Sequence, residues 1–215
     1  MNPLSVTVVP VTPFQQNASL LVCTRTGVAA VVDPGGDHQR IRQAVDGSGA
    51  RLERILLTHG HIDHAGGAAE LAEAYGVPVI GPMAEDGFLL ADLADQGARL
   101  GMAGARPVEP ERYLADGDTV SVGDTLFEVR AVPGHTPGHV AFYAEALSFV
   151  IGGDALFAGS VGRTDFPYAD HRRLIASIRE RLMTLPDDVT VLPGHGPATT
   201  IGRERATNPF LAGLA

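Results

Sequence analysis

The sequence predicts an α/β fold with mixed sheets. Apolar strand-like runs occur in clusters, with helical spacing between and after them. The 26 glycines and 15 prolines are spread along the 215 residues, so they read as many turns and not as a linker. Apolar residues make up 45% and charged residues 19%, with a mean hydropathy of +0.10, which excludes a disordered chain. A single domain over residues 1–215 is expected, and at this size roughly 70% of the unfolded surface can be buried without a staple.

The first strands are predicted over residues 6–11, 20–24 and 28–33, rich in Val and Leu and bounded by turn residues. Residues 37–45 place Ile41, Ala44 and Val45 on one helical face. Ile55-Leu56-Leu57 is a short buried strand. A helix over 65–75, with Ala68, Leu71, Ala72 and Tyr75 on one face, is stopped by Gly76. Residues 97–107, rich in Ala and Gly, read as a surface excursion. Strands follow over 119–122, 126–132, 140–143 and 147–151. Leu174, Ile175, Ile178 and Leu182 mark a late helix, and 189–192 a last strand.

Charge and cysteine usage narrow the function classes. A net charge of −9 argues against nucleic acid or an anionic membrane as partner. The single Cys23 allows no internal disulfide, which points to a cytoplasmic location. Met1-Asn2-Pro3-Leu4 lacks the basic start of a signal peptide, and no apolar run approaches the ~20 residues of a membrane span.

One pattern organises the chain. Four apolar runs each stop at residues that bind metal: 55–58 at His59-Gly60-His61-Ile62-Asp63-His64, 129–132 at Pro133-Gly134-His135, 149–151 at Gly152-Gly153-Asp154, and 189–192 at Pro193-Gly194-His195. A Gly precedes His135, Asp154 and His195, allowing a sharp turn and close approach to a ligand. His59 and His61, two apart in extended backbone, point to one side and can chelate one ion. Asp63 and His64 lie beyond, where the chain turns into a helix, so a second ion is expected there. The allotment is His59, His61 and His135 to the first ion and Asp63, His64 and His195 to the second. Asp154 bridges, because one carboxylate can serve two cations. Three or four protein ligands per ion leave room for a shared water, the mark of a catalytic site. Zn, Fe and Mn all suit this His and Asp mixture.

These residues resemble the metallo-β-lactamase superfamily, over nearly the whole chain. Pro133-Gly134-His135-Thr136-Pro137-Gly138-His139, Gly162-Arg163-Thr164-Asp165-Phe166-Pro167, Pro193-Gly194-His195-Gly196-Pro197 and Glu204-Arg205-Ala206-Thr207-Asn208-Pro209-Phe210 are similar to short glyoxalase II-like hydrolases. The resemblance implies an αββα sandwich of two mixed β-sheets with helices on the outer faces and metals at one rim. It implies a hydroxyacylglutathione hydrolase-like enzyme that cleaves a small acyl thioester such as S-lactoylglutathione with a metal-bridging hydroxide. The chain departs from full-length glyoxalase II in two ways. Only 20 residues follow His195, so a C-terminal glutathione-binding helical domain is not expected, and Val161-Gly162-Arg163 stands where Cys-Gly-Lys is usual.

The segment 162–166 also resembles persulfide dioxygenases, which use one iron on the same fold. That reading, a lactonase and a non-catalytic metal-binding protein are the alternatives. A thiol of pKa near about 8.5 can leave as thiolate, which suits a chain showing no dedicated acid. Asp63 is expected to hold the second ion and orient the hydroxide, and Arg163 to fork onto a substrate carboxylate, with a salt bridge to Asp165 as the competing role. His139 is expected to be structural, Phe14 and Asn17 to form a turn, with lining of the rim as the competing role, and Cys23 to be a core residue. No Gly-x-Ser-x-Gly or phosphate loop offers a second catalytic centre.

Overall fold

The computed structural model describes residues 3–211. Met1-Asn2, read above for a leader, lies outside the described residues. The first half builds a mixed sheet in the order β1-β2-β3-β4-β5. Its strands are β1 (Leu4–Val11), β2 (Gln16–Cys23), β3 (Val28–Val32), β4 (Arg51–Leu56) and β5 (Val79–Ile80). Helix α1 (His38–Ser48) crosses from β3 to the parallel β4. Four more helices follow: α2 (Ile62–Ala65), α3 (Ala68–Tyr75), α4 (Gly87–Ala91) and α5 (Leu93–Leu100).

The second half builds a mixed sheet in the order β13-β12-β9-β8-β7-β6. Its strands are β6 (Thr119–Val122), β7 (Thr125–Ala131), β8 (Val140–Ala144), β9 (Phe149–Gly153), β12 (Thr190–Pro193) and β13 (Thr199–Thr200). A small hairpin, β10 (Leu156–Phe157) with β11 (Ser160–Val161), stands apart. Helix α6 (His171–Ser177) widens into a π-helical turn at Ile178–Leu182, and α7 is Ile201–Thr207.

Strand parity explains the layering. Alternate β3 residues Ala29 and Val31 pack under helices α1 and α3 with Ile41, Val45 and Leu71. Ala30 and Val32 face the other way, onto Val120, Phe127, Phe142 and Ile151 of the second sheet. In β8, Phe142 joins this central layer, whereas Ala141 and Tyr143 pack with Leu174, Ile178 and Leu182 of the opposite helices. Both faces of β3 and β8 are therefore buried, which is why these strands read as unbroken apolar runs. The result is the expected sandwich: helices, sheet, sheet, helices.

The expected helix over 65–75 is interrupted. The Gly67 N–H leaves the helical pattern and donates to the Pro34 carbonyl at 2.8 Å, separating α2 from α3. The excursion at 97–107 begins inside α5, because Gly97 serves close packing: a Cβ there would lie 2.5 Å from the Met102 carbonyl oxygen. Strand β2 starts at Gln16, four residues earlier than expected, and its polar start reaches the site described next. Among the described residues no helix is long and apolar enough to cross a membrane.

Candidate metal centre

All seven proposed ligands meet at one rim of the sandwich, on loops that leave the ends of β4, β7, β9 and β12. His59 Nε2 lies 3.1 Å from His61 Nδ1, and His135 Nε2 lies 3.0 Å from the same atom. A second triad is formed by Asp63, His64 and His195, with His195 Nε2 3.2 Å from Asp63 Oδ2. Asp154 stands between them. Its carboxylate approaches His64 Nε2 at 3.3 Å, His195 Nε2 at 3.5 Å and His135 Nε2 at 3.7 Å.

The outer ring nitrogens fix which atoms face inward. His135 Nδ1 donates to the Arg163 carbonyl at 2.8 Å, and His195 Nδ1 to the Phe14 carbonyl at 3.1 Å. His64 Nδ1 donates to Asp33 Oδ2 at 2.9 Å. The Thr58 hydroxyl donates to Asp33 at 2.6 Å and accepts from His59 Nδ1 at 3.0 Å. His61 is reversed: its Nε2 bonds the Tyr168 hydroxyl at 2.8 Å, leaving Nδ1 inward. With protons held outside, the inner nitrogens of His59, His61 and His135 present lone pairs to one another at about 3 Å, a repulsive arrangement that a cation turns into a ligand set. His64 Nε2 and Asp154 Oδ1 are buried without a hydrogen-bond partner. The residues present therefore fit metal ions.

Electrostatics agree with that reading. Burial and the surrounding imidazoles hold His59 well below the usual histidine range, and burial with His135 pushes His61 down to about 3. Burial alone would raise Asp154, but His64, His135 and His195 hold its carboxyl well below the carboxylate range. Burial likewise opposes a charged His64, yet Asp154, Asp63 and Asp33 raise it well above the ordinary value.

Several residues that build the centre carry no motif in the sequence. Asp33, in left-handed backbone at φ 52°, orients His64 and also accepts the Thr58 N–H at 2.7 Å. Its place at the end of β3 repeats the pattern of an apolar run ending in a polar residue, the signal that could have found it. Phe14 and Asn17 are more than a turn. The Asn17 amide donates to the Pro193 and Gly196 carbonyls at 3.0 and 2.9 Å, pinning the His195 loop. His139 is buried and accepts the Asp154 N–H at 3.0 Å, so it positions the bridging residue.

Asp86 ties two ligand loops together. It accepts from Gly60 N at 2.9 Å, Gly138 N at 2.6 Å and the Thr136 hydroxyl at 2.7 Å, and burial pushes its carboxyl up to about 6. Asp86→Ala would release both loops without touching a ligand. Metal affinity is expected to fall about 10- to 100-fold, read by competition with a chelator. Wild-type affinity in that variant would remove Asp86 from this role.

Arg163 lies on the wall of the cavity above the centre. Its guanidinium forks onto Asp165 at 2.7 and 2.6 Å and covers the Phe166 ring at 4.6 Å. The competing role read from the sequence is thus the arrangement seen. Cys23 is buried, as expected of a core residue.

A family model described as the metallo-beta-lactamase superfamily matches residues 11–195. Hydroxyacylglutathione hydrolase GloC of Haemophilus influenzae is 41% identical over 209 residues, covering 97% of this chain and 98% of that protein. The crystal structure of the B3 metallo-beta-lactamase BLEG-1 superposes with a TM-score of 0.89 at 34% identity, covering 97% of this chain and 100% of that one. The crystal structure of TTHA1623 in a di-iron-bound form gives 0.86 at 40% identity, covering 96% and 100%. With its all-histidine triad and its Asp63-His64-His195 triad at the rim of a four-layered sandwich, the chain belongs to the metallo-beta-lactamase superfamily.

Proposed function

We propose that the chain is a glyoxalase II-like hydrolase of small acyl thioesters, with S-lactoylglutathione as the test substrate. The observation that carries this reading is the Asp154 carboxylate, within 3.3–3.7 Å of nitrogens from both triads at the base of an open cavity of about 960 Å³. His59, His61 and His135 would hold one divalent ion, Asp63, His64 and His195 the other, and Asp154 would reach both. Zn, Fe and Mn all suit these donors. Such ions, when bound, polarise a carbonyl oxygen and make water a nucleophile at neutral pH.

The chain's own residues supply orientation. The outer bonds to Thr58, Tyr168, Asp33, Arg163 and Phe14 hold five imidazoles in fixed tautomers. Asp63 lines the cavity beside His195, where it would accept a hydrogen bond from the attacking water. A thiol of pKa near about 8.5 would leave as thiolate without needing a dedicated acid. Arg163 would take a substrate carboxylate in place of Asp165. Both partners are about 65% exposed, and such exposed pairs are worth only ~0–1 kcal/mol, so the exchange costs little. The likeness to a protein named hydroxyacylglutathione hydrolase supports this substrate class.

The test is an assay of protein whose metal content has been measured. Thiol and lactate should appear in equal amounts from S-lactoylglutathione, stop on chelation and resume on adding metal. Asp63→Ala should lower kcat at least 100-fold with the thermal midpoint nearly unchanged. Equal turnover in that variant with both metals retained would contradict the role. Loaded protein that releases no thiol, but opens a β-lactam or consumes oxygen with glutathione persulfide, would replace the reading.

A further inference from the structure

Among the described residues, seven large apolar side chains are exposed, and three of them, Phe14, Phe88 and Leu100, line the cavity above the metal centre. Exposed apolar groups gathered around one cavity mark a binding surface, unlike the same groups scattered singly. The wall is also continuous with the ligands. Phe166 stacks on Tyr168, the two rings 5.4 Å apart and nearly parallel, and Phe88 meets Tyr168 edge-on at 5.3 Å. Phe166 in turn packs on His61 at 4.8 Å. On the opposite side Phe157 lies 6.3 Å from His195. A reacting carbonyl at Asp154 would thus sit between aromatic surfaces on both sides.

The charged groups of the wall point the same way. Arg99 is paired with Asp92 at 2.5 Å, and Arg163 with Asp165 at 2.6 Å. Each guanidinium in the cavity faces a carboxylate, so the pairs add no net charge to the wall. Phe88 and Leu100 come from α4 and α5, and the amide of Gln96, which also lines the cavity, donates to the Leu89 carbonyl at 2.8 Å.

The geometry points to a preference for thioesters that carry a bulky apolar or aromatic group next to the reacting carbonyl, seated on the Phe88–Tyr168–Phe166 wall. This deepens the proposed thioester hydrolysis and rests on it. The group could belong to the acyl half or to the thiol half of the substrate, and the test separates these sources.

In each of two substrate pairs a phenyl group replaces a methyl or a hydrogen. S-mandeloylglutathione against S-lactoylglutathione places it on the acyl side, and the S-benzyl against the S-methyl thioester of lactate places it on the thiol side. At least one pair should show a kcat/KM ratio of tenfold or more in favour of the ring. Phe88→Ser and Leu100→Ser should each shrink that ratio, and Phe88→Leu should largely keep it. Both residues are about half exposed, so the variants should fold. Ratios near one in both pairs would overturn the inference while leaving thioester hydrolysis intact. Binding supplies a readout independent of turnover: metal-loaded protein should bind S-benzylglutathione at least tenfold more tightly than S-methylglutathione by calorimetry, and Phe88→Ser should erase the difference. Equal affinities together with an acyl-pair ratio near one would overturn the inference, whereas equal affinities beside a tenfold acyl-pair ratio would seat the group on the acyl half. A chain that dimerises in solution and becomes monomeric on Phe88→Ser would assign the wall to a second copy instead, and would also overturn it.

Discussion

Replacing Asp154 with Ala is expected to lower turnover about 1,000-fold or more and to reduce metal content to one ion per chain or fewer. The carboxylate lies within 3.7 Å of inner nitrogens from both triads. Its loss leaves five imidazoles with a single remaining carboxylate, Asp63, to balance two cations. Transition-state stabilisation by metal is worth several kcal/mol, and each 1.36 kcal/mol is tenfold in rate. The fold should survive, because the surrounding layers are held by three apolar clusters that do not involve Asp154. Metal analysis and steady-state kinetics of the variant decide the matter. Near-normal turnover with two ions per chain would remove Asp154 from the bridging position.

Gly194→Ala is expected to damage the centre almost as severely while altering no polar group. A Cβ at this position would lie 2.2 Å from Asp154 Oδ1 and 2.5 Å from His64 Cε1. Neither neighbour can retreat freely. His64 is fixed by Asp33, and the Asp154 N–H is held by His139. The methyl must therefore push apart a carboxylate and an imidazole that would share a metal. Metal affinity should drop about 100-fold, and overpacking should cost about 1–3 kcal/mol of stability. Gly47→Ala is the matched control: it lies in α1 with nothing within 4 Å of the added methyl, and should be neutral or stabilising. Chelator competition and thermal melting compare the two. Wild-type metal affinity in Gly194→Ala would show that the loop is softer than its contacts imply.

The glycines before His135, Asp154 and His195 illustrate what could be read from the sequence alone. Their placement marks strand ends where backbone approaches a ligand, and that much is a local signal. The reasons differ and are not local. Gly194 makes room for Asp154, forty residues away, whereas Gly153 adopts φ 50° beside the Thr58 hydroxyl. The seven inward groups were legible because each sits just beyond an apolar run. Asp86 and Tyr168 were not, because their partners lie between 26 and 107 residues distant and no short spacing announces them, whereas Asp33 ends an apolar run as the ligands do and went unread. The long strands were legible from their Val and Leu content. The two-residue strands β5, β10, β11 and β13 were not, since a pair of residues has no period. Helix α5 was obscured by Gly97, which reads as a breaker and acts as a contact.

Neither half of the sandwich owns a complete ligand set. His59, His61, Asp63 and His64 follow the first sheet, whereas His135, Asp154 and His195 belong to the second. During synthesis the leading half emerges with two imidazoles for one ion and an aspartate and imidazole for the other, each one nitrogen short. Tight metal capture would then await docking of the trailing half, which would make cation uptake a late checkpoint of maturation and a loaded centre a rivet across the interface.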